Sequence, residues 1–248
     1  MKNWLLSLII LMCSTAWSFN KDYKDLPFLD QNLKLGVGLS YSKLEANSDV
    51  GNYFLLSQAN PRLEVSYSSA IKDKYRSKFM ASVTQELFRP ENNNLNVKTN
   101  EPQGSVHLAW QPMWINENQT WARGLKIAAK NTSVISELPD PFNVRGDIAN
   151  RYSAEAGLAF AWYAQTVSKF PLSLDAEILY SQTLFDHANI SYYNGYVYRF
   201  GIDFEFKKRS LFSGWGFRAF YEFEDIRNQY SHSVDKEIGV VLNKAFLF

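Results

Sequence analysis

The sequence predicts an all-β fold, a single closed antiparallel β-barrel of about ten strands that cross a membrane. Apolar and polar residues alternate with a period of two in about ten separate stretches, which is typical of strands with one apolar face. Most stretches are about ten to fourteen residues long, and a tilted transmembrane strand needs about 9–11 residues. Aromatic residues gather at the ends of the stretches, where a membrane barrel carries two girdles of rings.

The first stretch shows the alternation plainly, because Leu35, Val37 and Leu39 alternate with Gly36 and Gly38. The same pattern recurs along the chain, in stretches at residues 33–42, 62–68, 78–87, 105–114, 121–130, 152–162, 172–181, 198–206, 215–224 and 235–248. Barrels of about eight or about twelve strands are the alternatives. A higher count arises if residues 50–58 form a further strand.

The polar face of these stretches is rich in glycine, serine and charge, so it would make a poor hydrophobic core. Its glycines are Gly36, Gly38, Gly157, Gly201, Gly216 and Gly239. A soluble barrel turns its apolar face inward, whereas a membrane barrel turns that face to lipid. A closed sheet also satisfies every backbone N–H and C=O group within the protein. We therefore predict that the apolar residues face outward.

The connections between the stretches alternate in length, which is typical of membrane barrels with short periplasmic turns and longer outer loops. Short turns are predicted near residues 72–74, 116–119, 168–171 and 207–213, and longer loops near 43–60, 89–102, 132–150, 186–195 and 226–233. Aromatic residues beside the long loops, Phe88 among them, are expected in the outer girdle. The longest loop, residues 132–150, either folds into the barrel mouth or extends as a surface loop.

Residues 1–18 have the features of a cleaved secretory signal peptide, which leaves residues 19–248 as one barrel domain. The leader begins with a positive charge, continues with a short apolar core and ends in a small-x-small pattern at residues 16–18. The single cysteine, Cys13, lies within this leader. No disulfide is therefore expected in the mature chain.

The composition excludes two classes of protein. An aromatic content of 16% argues against a disordered chain. Removing Lys2 with the leader reduces the 26 basic residues to 25, which equals the 25 acidic residues. This balance argues against a nucleic-acid partner, because binding nucleic acid requires an excess of basic charge.

The end of the chain resembles the C-terminal signature of bacterial outer-membrane β-barrel proteins, a terminal aromatic residue preceded by apolar residues at alternate positions. Val240, Leu242, Phe246 and Phe248 match this signature, and Lys244 departs from it. The resemblance implies a location in the bacterial outer membrane and recognition of the last strand by the barrel-assembly machinery. It also implies contact with outer-membrane lipid and lipopolysaccharide, where outward-facing Lys43 and Lys236 could meet lipid phosphates. We expect a monomer.

Charged residues on the polar face are predicted to line the lumen. They are Lys34, Arg62, Glu64, Arg76, Lys78, Glu86, Lys126, Glu155, Asp175, Glu177, Arg199, Asp203, Glu205, Arg218 and Glu222, with Lys130, Glu224, Asp235 and Glu237 as further members. Two interpretations stay open, an interior of salt bridges that stabilises the wall and a water-filled passage for small polar solutes. The expected function is a narrow passive channel or a structural surface protein.

An outer-membrane hydrolase is the alternative function, but the sequence provides little for one. His107, His187 and His232 are its three histidines. An omptin-like protease would need an Asp/His couple, for which Asp186, His187 and Asp49 are rough candidates. A lipid hydrolase would need a histidine-activated serine, and the neighbours His232 and Ser233 are poorly spaced for that task. We predict no catalytic residues, no metal site and no cofactor.

Overall fold

The protein is described by a computed structural model. The described residues are 31–48, 51–90, 97–98, 102–138, 145–164, 172–186, 194–206, 212–227 and 231–247. The predicted signal peptide and Phe248 lie outside these ranges. No helix among the described residues is long and apolar enough to span a membrane.

The strands are named in chain order. They are β1 (Asn32–Ser48), β2 (Gly51–Ser68), β3 (Tyr75–Glu86), β4 (Arg89–Pro90), β5 (Val97–Lys98), β6 (Gln103–Ile115), β7 (Trp121–Leu138), β8 (Arg145–Ala164), β9 (Leu172–Asp186), β10 (Asn194–Glu205), β11 (Trp215–Arg227) and β12 (Ser231–Leu247). β4 and β5 have two residues each and attach to β2 and β8. The other ten strands form the wall.

The wall is a closed antiparallel barrel, because β1 pairs with β2 on one edge and with β12 on the other. The remaining neighbours follow in the order β12, β11, β10, β9, β8, β7, β6, β3 and β2. The predicted all-β barrel of ten strands is therefore confirmed. Residues 51–58 form the first part of β2 rather than a further strand.

Apolar side chains face outward along most of the wall, as predicted. Val37 is 58% exposed and Leu63 is 61% exposed. Further outward-facing members of this apolar band are Leu39, Phe79, Val83, Leu108, Leu125, Ile127, Leu158, Ile178, Phe200, Ile202, Phe217, Ile238, Val240, Leu242 and Phe246. Burying this surface in water-free lipid is favourable, since apolar transfer is worth about 25 cal/mol per Å². The band includes three of the four residues proposed as the assembly signal.

Aromatic rings mark both edges of the apolar band. Trp114 and Trp121 are exposed beside the short turn at residues 116–120, and Trp215 is exposed at the start of β11. Tyr41 and Tyr196 are exposed near the opposite rim. The prediction that Phe88 belongs to the outer girdle is wrong, because its side chain points into the barrel.

Several predicted outer loops are strands instead. Most of residues 43–60 belongs to β1 and β2, and most of residues 132–150 belongs to β7 and β8. The segment at residues 43–60 was predicted as a loop because the apolar residues change from the outer to the inner face of the strand near the outer rim. Ser40 and Ser42 point inward and are polar, whereas Leu44 and Ala46, which follow on the same inner face, are apolar. A bulge in β2 accompanies the change, with a register shift opposite residues 40–42 and a positive φ of 55° at Ala59.

The outer rim is uneven, and this unevenness brings one hairpin into the mouth. β3 ends at Glu86 and β6 begins opposite it at Gln103, whereas β7 continues to Leu138 and contacts β1. Val134 and Ile135 are consecutive in β7 and each is only 3% exposed, so both faces of the hairpin are covered there. The described part of the β7–β8 hairpin therefore lies in the mouth, which favours one of the two predicted possibilities, and its tip, residues 139–144, lies outside the described residues.

Candidate functional site

The interior of the barrel is the candidate site, and the structure places all the predicted lumen charges on its inner face. They form three layers along the barrel axis. The layers follow from the strand register, because inward positions recur every second residue and neighbouring strands bring opposite charges to the same height.

The inner layer, nearest the short turns, is centred on Arg218 of β11. Its guanidinium lies 3.2 Å from Asp175, 3.4 Å from Glu64 and 3.9 Å from Asp203. Lys34 of β1 forms an ion pair with Glu205 of β10. These contacts link strands that lie up to three positions apart around the wall.

The middle layer is centred on Arg199 of β10. Its guanidinium binds both carboxylate oxygens of Glu222, at 2.6 and 3.2 Å, and lies 2.8 Å from Glu155. Lys126 of β7 lies 2.6 Å from Glu177. Buried charges of this kind are tolerated only when they are paired, because a lone buried charge is very costly.

The outer layer joins Lys130 and Arg151 to the carboxylate of Glu224. Lys130 Nζ donates to Glu224 at 2.9 Å and also pairs with Glu222. Arg151 is fully buried, pairs with Glu224 and donates to Thr183 at 2.7 Å and Ser181 at 2.8 Å. Arg151 escaped the sequence analysis because it lies between the predicted loop at residues 132–150 and the alternating stretch at residues 152–162.

Two carboxyl groups in the outer layer have hydroxyl partners in place of cations. Glu86 accepts hydrogen bonds from Ser42 at 2.8 Å and from Ser133 at 3.4 Å. Asp235 accepts one from Thr132 at 3.5 Å. Within the described part of the chain, neither carboxylate has a basic group within 4.0 Å.

An apolar cluster lies at the mouth above this layer. This mouth cluster consists of Leu44, Ala46, Tyr53, Leu55, Phe88 and Ile135. Leu55 is completely buried and Phe88 is 2% exposed. The cluster combines the inner face of β1 and β2 and the ring of Phe88, between β3 and β4, with one face of β7.

Space for water remains lower in the barrel. A cavity of about 80 Å³ lies in the inner half and is lined by Lys78, Asp175, Asp203 and Arg218 among others. A smaller cavity of about 20 Å³ lies beside His107 and Arg199. A water molecule needs about 10–15 Å³ of such space, so the larger cavity has room for several waters and the smaller one for a single water.

The histidines lie apart from one another. His107 is buried in the middle layer, with Nε2 4.0 Å from Glu155. His232 lies near the outer rim, where its Nε2 is 3.0 Å from Asp225. Hydrogen bonds from Arg227, together with the nearby His232, lower the pKa of Asp225. Sequence reasoning missed Asp225 because the contact joins adjacent strands.

The structure describes only one of the two predicted hydrolase couples, His232 with Ser233. Ser233 is 2% exposed and lies on the opposite strand face from His232, so these neighbours do not form a couple. Asp49, His187 and the side chain of Asp186 lie outside the described residues. The described residues contain no group of three or more His, Cys, Asp or Glu side chains that could hold a metal ion.

Outward-facing lysines at both rims have local partners. Glu45 lies between Lys236, at 2.8 Å, and Lys43, at 3.3 Å. At the other rim Lys244 donates to the backbone carbonyl of Ser213 at 2.7 Å and lies over the ring of Trp215. Lys244 therefore directs its charge away from the apolar band, as a snorkelling side chain does.

No protein-family model matches the sequence, and no curated protein matches it. Among solved structures, the chain is similar to the outer membrane protease OmpT from Escherichia coli, with a TM-score of 0.52 and 8% identity over 91% of this chain and 99% of that chain. It is also similar to an outer membrane channel from Pseudomonas putida F1, with a TM-score of 0.44 and 11% identity over 92% of this chain and 99% of that chain. For Ail of Yersinia pestis the TM-score is 0.34 and the identity 10%, over 86% of this chain and 99% of that chain.

The likeness to OmpT concerns the fold alone. It confirms the predicted outer-membrane β-barrel architecture, and the predicted location in a bacterial outer membrane agrees with it. The activity of the protease is not transferred by a likeness at this level of identity.

Proposed function

We propose that this chain is a structural surface protein of the outer membrane, whose barrel is closed to solutes at its outer mouth. The observation that supports this most strongly is the mouth cluster, which lies over three layers of paired charges. A passage for polar solutes would need a continuous wet path, and a dry apolar layer interrupts such a path.

On this proposal the interior charges stabilise the barrel wall and take no part in solute transport. Each layer links strands that are distant along the chain, as in the contact between Arg218 and Glu64. Small barrels are generally filled by their own side chains, whereas barrels of about 16–18 strands leave open channels. A barrel of ten strands therefore suits a filled interior.

Single-channel recording in planar bilayers tests the proposed function. The purified wild-type barrel is expected to show no discrete conductance steps at about neutral pH. A difference in migration between unheated and boiled samples in a denaturing gel would verify that the inserted protein is folded. Regular conductance steps from a folded sample at this pH would refute the closed barrel and favour the narrow passive channel.

A hydrolase at the outer rim is the second candidate, and the contact between Asp225 and His232 is the observation that favours it. A histidine oriented by a carboxylate can act as a general base toward water. If the folded protein hydrolyses a peptide, ester or phospholipid substrate, the variant His232→Gln should lose most of that activity. Activity that persists unchanged in this variant excludes His232 as the base.

The partners remain predictions. We propose that Lys43 and Lys236 exchange Glu45 for lipid phosphates at the outer rim, and that the assembly machinery reads the end of β12. Replacing both lysines with glutamine should reduce the lipopolysaccharide that co-purifies with the barrel. Equal amounts of bound lipopolysaccharide in the variant and the wild type would contradict the lipid contact.

A further inference from the structure

The cavity in the inner half of the barrel has walls of balanced charge. Its volume is about 80 Å³, and four basic and four acidic side chains line it. A cavity lined by both signs of charge has no strong net attraction for a simple cation or a simple anion. It favours a solute that carries both charges, with each end beside a group of the opposite sign.

Lys78 of β3 places an unpaired positive charge in this cavity. It lines the cavity and is half-buried. Within the described part of the chain, its ammonium group has no carboxylate within 4.0 Å and no hydrogen-bond partner. A lysine ammonium group has three N–H donors, and leaving them without partners in a buried site is costly. Lys78 therefore needs water or the carboxylate of a ligand.

Two carboxylates line the same cavity from β9 and β10. Asp175 lies 3.2 Å from the guanidinium of Arg218, whereas Asp203 lies 3.9 Å from it, beyond hydrogen-bond distance. The two carboxylates interact with each other, and the charge of Lys78 acts on both. A positive group beside Asp175 and Asp203 would reduce their mutual repulsion.

Hydroxyl groups complete the polar wall of the cavity. Ser66, Ser68 and Ser173 line it, and none of their hydroxyls has a hydrogen-bond partner among the described residues. At about 10–15 Å³ for each water, the cavity has room for roughly five to eight waters, or for a solute of about six non-hydrogen atoms. It reaches the inner ends of the strands, because Asn32 begins β1, Ser68 ends β2 and both line it. The shorter route to the cavity therefore starts at the periplasmic end.

We propose that this cavity is a binding site for a small zwitterion, an α-amino acid of about the size of alanine, which enters from the periplasmic end. The carboxylate of the ligand binds the ammonium group of Lys78, and the ammonium group of the ligand lies beside Asp175 and Asp203. The site goes beyond the proposed function, because a barrel that is closed at its outer mouth still has an inner end from which a solute is bound.

Equilibrium dialysis of radiolabelled ligands against the folded barrel, in a nonionic detergent at about pH 7, tests the site. Alanine should bind saturably. Propionate lacks the ammonium group and ethylamine lacks the carboxylate, so each should bind at least about tenfold more weakly than alanine. Lys78→Met should weaken the binding of alanine by about tenfold or more. Lys74→Met, on an exposed periplasmic turn, is the matched control and should bind alanine as the wild type does.

Three results would overturn the proposal. They are an absence of saturable alanine binding to the folded wild type, propionate or ethylamine binding as tightly as alanine, and unchanged alanine binding in Lys78→Met. If Lys78→Met fails to fold, Lys78→Gln should show the same loss of binding, and unchanged binding there would reject the site. None of these results depends on conductance, so the closed barrel is decided separately by the single-channel recording.

Discussion

Replacing Phe88 with alanine is expected to open the mouth to ions and to lower the stability of the folded barrel. Phe88 belongs to the mouth cluster and is 2% exposed. Truncating a buried phenylalanine typically costs about 3–5 kcal/mol, part of which is the cavity that the ring leaves behind. A cavity at the contact between two hairpins also weakens the seal between them.

Two measurements check this prediction. Conductance steps should appear at about neutral pH, and the temperature at which the folded band is lost from an unheated gel should fall. Leu87→Ala is the matched control, because Leu87 precedes Phe88 and is 42% exposed on the outer face. If Phe88→Ala and Leu87→Ala behave alike, the mouth cluster does not seal the barrel.

Replacing Arg199 with methionine is expected to destabilise the wall more than any surface change. Arg199 is buried in the middle layer, where it pairs with Glu222 and Glu155. Removing one member of a buried ion network leaves unbalanced charges and typically costs about 3–5 kcal/mol. The loss should appear as a lower midpoint in urea-induced unfolding in detergent or lipid vesicles.

The appropriate control breaks an ion pair in water. Lys74 and Glu117 lie 2.7 Å apart on exposed periplasmic turns, so Lys74→Met should change the midpoint very little. Adding Glu155→Gln and Glu222→Gln to Arg199→Met should recover part of the lost stability, because the unbalanced charges are removed. An Arg199→Met midpoint equal to that of the wild type would mean that the middle layer does not support the wall.

The interior charges could be predicted one by one but not as pairs. Period-two alternation placed Arg199 and Glu222 on the polar face, because the side of a strand follows directly from residue spacing. Their pairing depends on the register between β10 and β11, where Arg199 lies opposite Glu222. The register is set by contacts along whole strands, and no local pattern reports it.

The alternation of residues by itself determined that the chain forms a barrel whose apolar side faces lipid. In each transmembrane strand every second side chain faces lipid and must be apolar, so the pattern can be recognised one strand at a time. Only the tertiary structure decided which side chains meet at the mouth. Leu44 and Ile135 resemble other apolar strand residues in the sequence, and Glu86 resembles the other interior acids. Their roles arise because β3 and β6 stop early and the β7–β8 hairpin enters the mouth, which brings together side chains that are far apart along the chain.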